Sequence, residues 1–344
     1  MKAVVKTEKG YGHVSYMDFP DPHKPGKGEL LVEVKATGVC GTDLHILEDT
    51  FHNFPPVVLG HEFAGVVLEV GEGVTMFKPG DRVTTEAPAR LCNKCMYCRT
   101  GNYNHCSNRS GMGWGENGTF AKYTIIEESM AHMVPDGISF KAGALMEPMA
   151  CVAHAIEITG IKADDTVAIS GPGPNGLLMT QLAKAEGATV IVTGTNMDAE
   201  RLAMAKRLGA DYTINVQEED AVAKIRELTG GYGADVVFEC AGAQSSIDAC
   251  FDYVRRMGKY TQMAMFGGRK MAIDMDKMVV KEIRMIGVQS QRWTSWNKTV
   301  KLLAAGKVQL EPLATHEFGL GEWEKAFETF EKKEGIKVVM YPED

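Results

Sequence analysis

The chain has 344 residues, 44% of them hydrophobic, and a formal net charge of −8 at pH 7. That length suits about two domains with a core in each, while the negative balance denies the basic surface a nucleic-acid binder depends on. Its longest apolar runs, such as Val66-Val67-Leu68 and residues 234–238, have strand length and fall far short of the ~20 residues that cross a bilayer.

The N-terminus, Met1-Lys2-Ala3-Val4-Val5-Lys6, reads as a first strand rather than a secretory or transit segment, so the expected location is the cytoplasm. Residues 1–148 are rich in short β-branched or alternating runs, at 30–34, 63–70 and 120–126. Turn signals such as Lys78-Pro79-Gly80-Asp81 and Pro135-Asp136-Gly137 separate them, and this half reads as mostly β. Within it, Cys40 lies in Gly38-Val39-Cys40-Gly41-Thr42-Asp43-Leu44-His45, and His61-Glu62 in Gly60-His61-Glu62-Phe63-Ala64-Gly65. Sulfur, nitrogen and oxygen donors from different loops suit an open zinc, where about three protein ligands leave one exchangeable position. Taken singly, Cys40 also reads as a small buried hydrophobe and His61 as a core histidine.

Cys92, Cys95, Cys98 and Cys106 follow, with gaps short enough to gather four thiolates in one loop. Four soft ligands with no place for water are the pattern of a closed structural zinc. The surrounding residues 90–108 have few large apolar side chains, and the binding free energy of such a metal, roughly 10–16 kcal/mol, stands in for a core. Two disulfides are the competing reading, but a chain this large with no secretory segment has no need of them.

Beyond an apolar helix pattern at 150–158, strands and helices alternate. Strands are expected at 166–170, 189–193, 235–240, 259–265 and 284–288, with helices at 177–186 and 199–208. Continuous apolar strands interleaved with helices predict a parallel sheet covered on both faces. A helix at 296–305 and a last strand at 336–341 are expected to return to the first domain. Between the first of these strands and its helix lies Gly171-Pro172-Gly173-Pro174-Asn175-Gly176. In that context the glycines read as a dinucleotide site: Gly171 for the tight turn, Gly173 for the approach of the pyrophosphate, Gly176 for helix–sheet packing. The acid that grips the ribose 2′-hydroxyl about twenty residues further on is missing from the end of the second strand, Val190-Ile191-Val192-Thr193-Gly194-Thr195-Asn196. Asp198 and Arg201 come next. Thr195 with Arg201 would tolerate a 2′-phosphate, so NAD and NADP both stay open.

In order and spacing, the motifs at 38–45 and 60–67, the four-cysteine lobe, Glu147-Pro148 and the glycine turn resemble those of the zinc-dependent medium-chain alcohol dehydrogenases, over essentially the whole chain. The likeness points to the sorbitol dehydrogenase branch, and residues 146–155, 190–208 and 287–296 are similar to bacterial arabitol-phosphate dehydrogenases. The resemblance implies an α/β protein in which a GroES-like β-rich catalytic domain, residues 1–150 and 289–344, adjoins a Rossmann domain at 151–288, with the active site in the cleft between them. It implies two zinc ions per chain and NAD or NADP as cofactors. Cys40 and His61 would hold the catalytic zinc, Glu62 would be a ligand or movable near-ligand, and Glu147 would bind directly or through water. Thr42 would hydrogen-bond the reacting oxygen and His45 relay its proton, while Asp43 would orient His61. Arg292, at the substrate cleft the resemblance implies, could meet a phosphate or a polyol hydroxyl, or equally be a surface arginine stacked on Trp293.

The activity so implied is hydride transfer between NAD(P) and a secondary alcohol of a polyol, sugar alcohol or sugar-alcohol phosphate, by a homotetramer or homodimer with no nucleic-acid or membrane partner. Threonine and simple alcohols are alternatives; Ala89, where threonine dehydrogenases carry a histidine, counts against threonine. A non-catalytic NAD(P)-binding zinc protein is the alternative of another class, and the presence of Cys40, His61, Glu62 and Glu147 argues against it.

Overall fold

Alternation of apolar and polar residues builds the strand Glu29–Gly38, which turns Leu30, Val32, Val34 and Ala36 into the core. In this computed structural model, which describes residues 1–343, the strand is the spine of a seven-stranded sheet. Its neighbours are Glu62–Val70 and Tyr123–Glu127, both antiparallel, and the C-terminal strand Lys337–Tyr341, also antiparallel. The chain divides into two compact units, Met1–Ala150 with Ser290–Asp344, and Cys151–Gln289.

Register in the first sheet decides which side chains meet. Gly38, the last residue of its strand, stands opposite Glu62 on one side and Val339 on the other. The chain then passes through Val39 and Cys40 into the short helix Gly41–Leu47. Cys40, His61-Glu62 and Lys337 thus come to one end of the sheet. A Cβ on Gly38 would press on the Glu62 carboxylate, so the glycine leaves that side chain its place. The run expected at 120–126 forms a strand only over Tyr123–Glu127, since the Phe120 N–H is spent on the Leu59 carbonyl at 2.9 Å and its own carbonyl on Val4.

The second unit carries a six-stranded sheet whose pairings are all parallel. Its strands, in chain order, are Thr166–Ser170, Thr189–Gly194, Tyr212–Asn215, Ala234–Glu239, Val254–Gln262 and Arg284–Gly287, arranged spatially as 3-2-1-4-5-6. This is the doubly wound dinucleotide-binding order, with its switch point between the first and fourth strands. Sheet-facing residues such as Ala168, Ile169, Val190, Ile191, Val236 and Val237 are essentially inaccessible, as continuous apolar strands require. The strand Tyr212–Asn215 and the helices Ala221–Leu228 and Gln244–Tyr253 escape the sequence reading, although both helices are amphipathic. Among the described residues, no helix is long and apolar enough to cross a membrane.

Candidate active site and metal centres

Cys40, His61 and Glu62 each offer a donor atom, and those atoms lie within 4.8 Å of one another. His61 is 4% exposed and Glu62 1%, while Cys40 is partly exposed, so two of the three donors are buried and the third reaches solvent. Burial by itself would lower the His61 pKa, but Cys40, Asp43 and Glu147 outweigh it and raise the imidazole to about 10. Cys40, Glu62 and Glu147 also hold the buried Lys337 above the ordinary lysine range, against the pull of burial. A pocket that stabilises every positive charge placed in it suits a divalent cation on a thiolate, imidazole and carboxylate donor set.

Glu62 has its own partner: Lys337 Nζ donates to Glu62 Oε2 and, at 2.8 Å, to the Val39 carbonyl. No sequence motif announced Lys337, although a charge inside the apolar run Ile336-Lys337-Val338-Val339-Met340 was a legible signal. Asp43 departs from expectation. Its Oδ2 accepts the Cys40 N–H at 2.9 Å, capping the helix, and its Oδ1 stands 3.9 Å from His61 Nδ1, too far for a hydrogen bond. Both of these last atoms are buried without a hydrogen-bond partner.

Glu147 lies in the first turn of the helix Met146–Thr159, 5% exposed, and is not part of the three-residue cluster. Gln291 holds its Oε1 at 3.0 Å. Thr42 and His45, three apart on one short helix, share a face. Thr42 Oγ1 is 3.7 Å from Cys40 Sγ, and His45 Nδ1 is 3.3 Å from both Glu48 Oε2 and Thr50 Oγ1. Trp114, missed by the sequence reading, meets His61 edge-to-face at 5.8 Å and forms a wall. Arg292 Nη1 donates to Asn102 Oδ1 at 2.8 Å, so part of its guanidinium is engaged by the four-cysteine lobe.

In that lobe the Cys92–Cys98, Cys95–Cys98 and Cys92–Cys106 sulfur separations are 3.9, 3.5 and 3.5 Å. A tetrahedron with metal–sulfur bonds of about 2.3 Å has edges of about 3.8 Å. All four cysteines are free thiols, and the gaps are far beyond a disulfide's length. The Lys94 and Cys95 N–H groups draw the Cys92 thiol down to about 6, whereas burial and the neighbouring thiols push Cys98 up to about 12. A cation is what lets all four ionise together.

In the second unit, Gly171 has φ +97°, and a Cβ there would strike Ala241. A Cβ on Gly176 would strike the Gly171 carbonyl, while one on Gly173 would meet no atom within 4 Å. The helix Pro174–Ala185 starts from Gly173 with no side-chain cap, leaving the Asn175 and Gly176 N–H groups without helical acceptors. This open, uncapped helix start presents free N–H donors of the kind that suit an anion. Gly194 lies against Pro172 of the same turn and brings Thr195 beside it. Asp198 Oδ2 accepts from the Thr195 N–H and hydroxyl at 3.0 and 2.8 Å, and its Oδ1 lies 3.6 Å from Arg201 Nη1.

A cluster of thiolate, imidazole and carboxylate donors, a four-thiol lobe and a 3-2-1-4-5-6 sheet with a glycine cradle together define a zinc- and nicotinamide-dependent dehydrogenase. Residues 26–136 match the family model of the alcohol dehydrogenase GroES-like domain, and residues 174–305 that of zinc-binding dehydrogenase. The chain is 44% identical over 344 residues to the sorbitol dehydrogenase of Halalkalibacterium halodurans, covering 100% of both chains. To the D-arabitol-phosphate dehydrogenase of Enterococcus avium it is 38% identical, covering 99% of this chain and 97% of that one. A zinc-binding dehydrogenase from Sinorhizobium meliloti 1021, solved bound to NADP, superposes with a TM-score of 0.90 at 32% identity, covering 99% of each chain. The chain belongs to the zinc-binding alcohol dehydrogenase family, with a GroES-like domain and a Rossmann-like sheet. It is an oxidoreductase acting on a small molecule, with zinc and a nicotinamide dinucleotide as cofactors.

Proposed function

We propose that the protein interconverts a secondary alcohol of a polyol, sugar alcohol or sugar-alcohol phosphate with the ketone, using NAD or NADP. The observation that carries this reading is the Cys40–His61–Glu62 cluster in a chain 44% identical along its length to a sorbitol dehydrogenase. Zinc held there would supply Lewis acidity towards a carbinol oxygen, and a nicotinamide dinucleotide would supply the hydride-accepting chemistry. Cys40 and His61 hold the metal, and Glu62 and Glu147 complete its charge.

Thr42 would orient the alcohol and, as it takes the alcohol's proton, give up its own along a relay to His45, which is partly exposed on the same helix face and would pass a proton to solvent. Trp114 beside His61 excludes water from one side. Residues 171–176 bind the pyrophosphate, with Thr195 and Arg201 at the adenosine ribose; Asp198, committed to both, leaves room for a 2′-phosphate. Cys92, Cys95, Cys98 and Cys106 take the second zinc. Met1–Ala150 with Ser290–Asp344 serves as the catalytic domain and Cys151–Gln289 as the nucleotide domain.

A homodimer or homotetramer is the assembly we favour. The edge strand Arg284–Gly287 and the helix Met275–Val280 before it expose Met285, Val279 and Val280, an apolar strip suited to a second copy of the chain. Eight cysteines, all free, suit the reducing cytoplasm. The test is turnover of a panel of alditols and alditol phosphates with each nucleotide. Loss of all turnover in Cys40→Ala is expected, and activity retained in that variant refutes the catalytic assignment.

A further inference from the structure

Glu86 is a fully buried carboxylate with no part in the chemistry above. The Tyr103 hydroxyl donates to both of its oxygens, at 2.9 and 2.8 Å, and His132 Nε2 lies 3.0 Å from Oε1. Tyr103 belongs to the four-cysteine lobe, in the single turn Tyr103–His105 between Cys98 and Cys106. The neighbouring lobe residue Asn102 accepts Arg292 Nη1 at 2.8 Å through its Oδ1. The His132 ring stacks on Trp296 with centroids 4.5 Å apart and planes 2° from parallel. Residues 290–296 are therefore pinned along one side by the lobe and by Glu86.

The other side of that segment meets the active site. Gln291, fully buried, donates to Glu147 Oε1 at 3.0 Å, and its own carbonyl oxygen accepts the Ser290 hydroxyl at 2.7 Å. The amide can turn neither way without losing a bond, so Glu147 sits where Gln291 puts it. Gln291 in turn sits where the backbone of residues 290–293 puts it. A lobe held together by its metal is a rigid fixture, and its two contacts, Asn102 to Arg292 and Tyr103 through Glu86 and His132 to Trp296, brace that segment.

We propose that the four-cysteine lobe is a positioning device for Glu147: Asn102 through Arg292, and Tyr103 through Glu86, His132 and Trp296, fasten residues 290–296, and Gln291 carries that placement to the carboxylate. The inference rests on the reading that Glu147 serves the Cys40–His61 metal. Tyr103, Asn102, Glu86 and Gln291 are positioning residues and touch no reacting atom.

The experiment compares the wild type with Tyr103→Phe, Gln291→Ala and the double variant, each as the full chain, with zinc kept in the lobe and cobalt(II) exchanged into the Cys40–His61 site. The readouts are the cobalt visible spectrum, the rate at which a chelator strips that ion, and kcat and KM for the alditol and nucleotide. Tyr103→Phe is expected to speed cobalt loss and lower alditol kcat/KM by about tenfold, the low end for groups that orient a metal ligand. Lobe zinc and nucleotide KM should not change, and the double variant should be no worse than Gln291→Ala alone. An unaltered spectrum and stripping rate in Tyr103→Phe overturns the proposal, and so do effects that multiply in the double variant. Should Tyr103→Phe shed its lobe zinc, Asn102→Ala decides: a changed cobalt spectrum supports the coupling and an unchanged one ends it. A wild type that oxidises no alditol sinks the functional reading alone, because the spectrum and stripping rate need no turnover.

Discussion

Lys337 and Glu62, 275 residues apart in the chain, form an ion pair with side chains only 3% and 2% exposed, and the same lysine binds the Val39 carbonyl next to Cys40. The pair neutralises a carboxylate that would otherwise stand buried beside a thiolate. It also leaves Glu62 with a partner whenever it is not on the metal.

Lys337→Met is expected to destabilise the metal-free protein by about 3–5 kcal/mol, the usual consequence of stripping one partner from a buried pair. The loss should be smaller with metal bound, because the cation then compensates Glu62. Denaturant unfolding of both forms measures it, and equal losses contradict the argument. The sign with pH follows from the raised lysine pKa: the contribution is complete below the unfolded lysine value and disappears as pH climbs through the higher folded one. It should be flat across neutral pH and fade only in strong alkali.

Metal analysis is expected to find about two divalent ions per chain. Cys40→Ala should lose one and keep the other, and Cys95→Ser should lose the lobe ion and with it the order of the residues around it. A single ion per chain that survives Cys40→Ala rules out the open site.

Gly176→Ala places a methyl group against the Gly171 carbonyl. An overpacking cost of about 1–3 kcal/mol translates into nucleotide binding weaker by about tenfold or more, with metal content unchanged. Titration of nucleotide fluorescence checks this, and wild-type affinity would mean that the turn does not bind the pyrophosphate.

Arg201→Ala is expected to weaken NADP by about tenfold or more, the worth of one charge-assisted hydrogen bond, and NAD much less. The ratio of the two dissociation constants is the measurement. Equal weakening removes Arg201 from cofactor choice and leaves it as the partner of Asp198.

Much of the site was legible before any fold was known, because its motifs are local. Closely spaced cysteines and a glycine turn between a strand and a helix carry their geometry within about fifteen residues, where chain connectivity alone brings the donors together. The expected Asp43–His61 hydrogen bond was less secure, since the same carboxylate also suits the helix start, and there it caps Cys40. Arg292 Nη1 reaches Asn102 of the lobe, 190 residues away, a pairing that no local motif announced.

Ligand chemistry, the phosphate cradle and the alternation that demands a parallel sheet are properties of short stretches, and the amino-acid sequence by itself determined them. Which carboxylate is neutralised by Lys337, and which one Gln291 holds across 144 residues, depended on strand register and on the return of the last segments to the first sheet. Only the tertiary structure decided those pairings, because a buried charge takes whichever partner the packed core brings within hydrogen-bond distance, and nothing local to either residue specifies that partner.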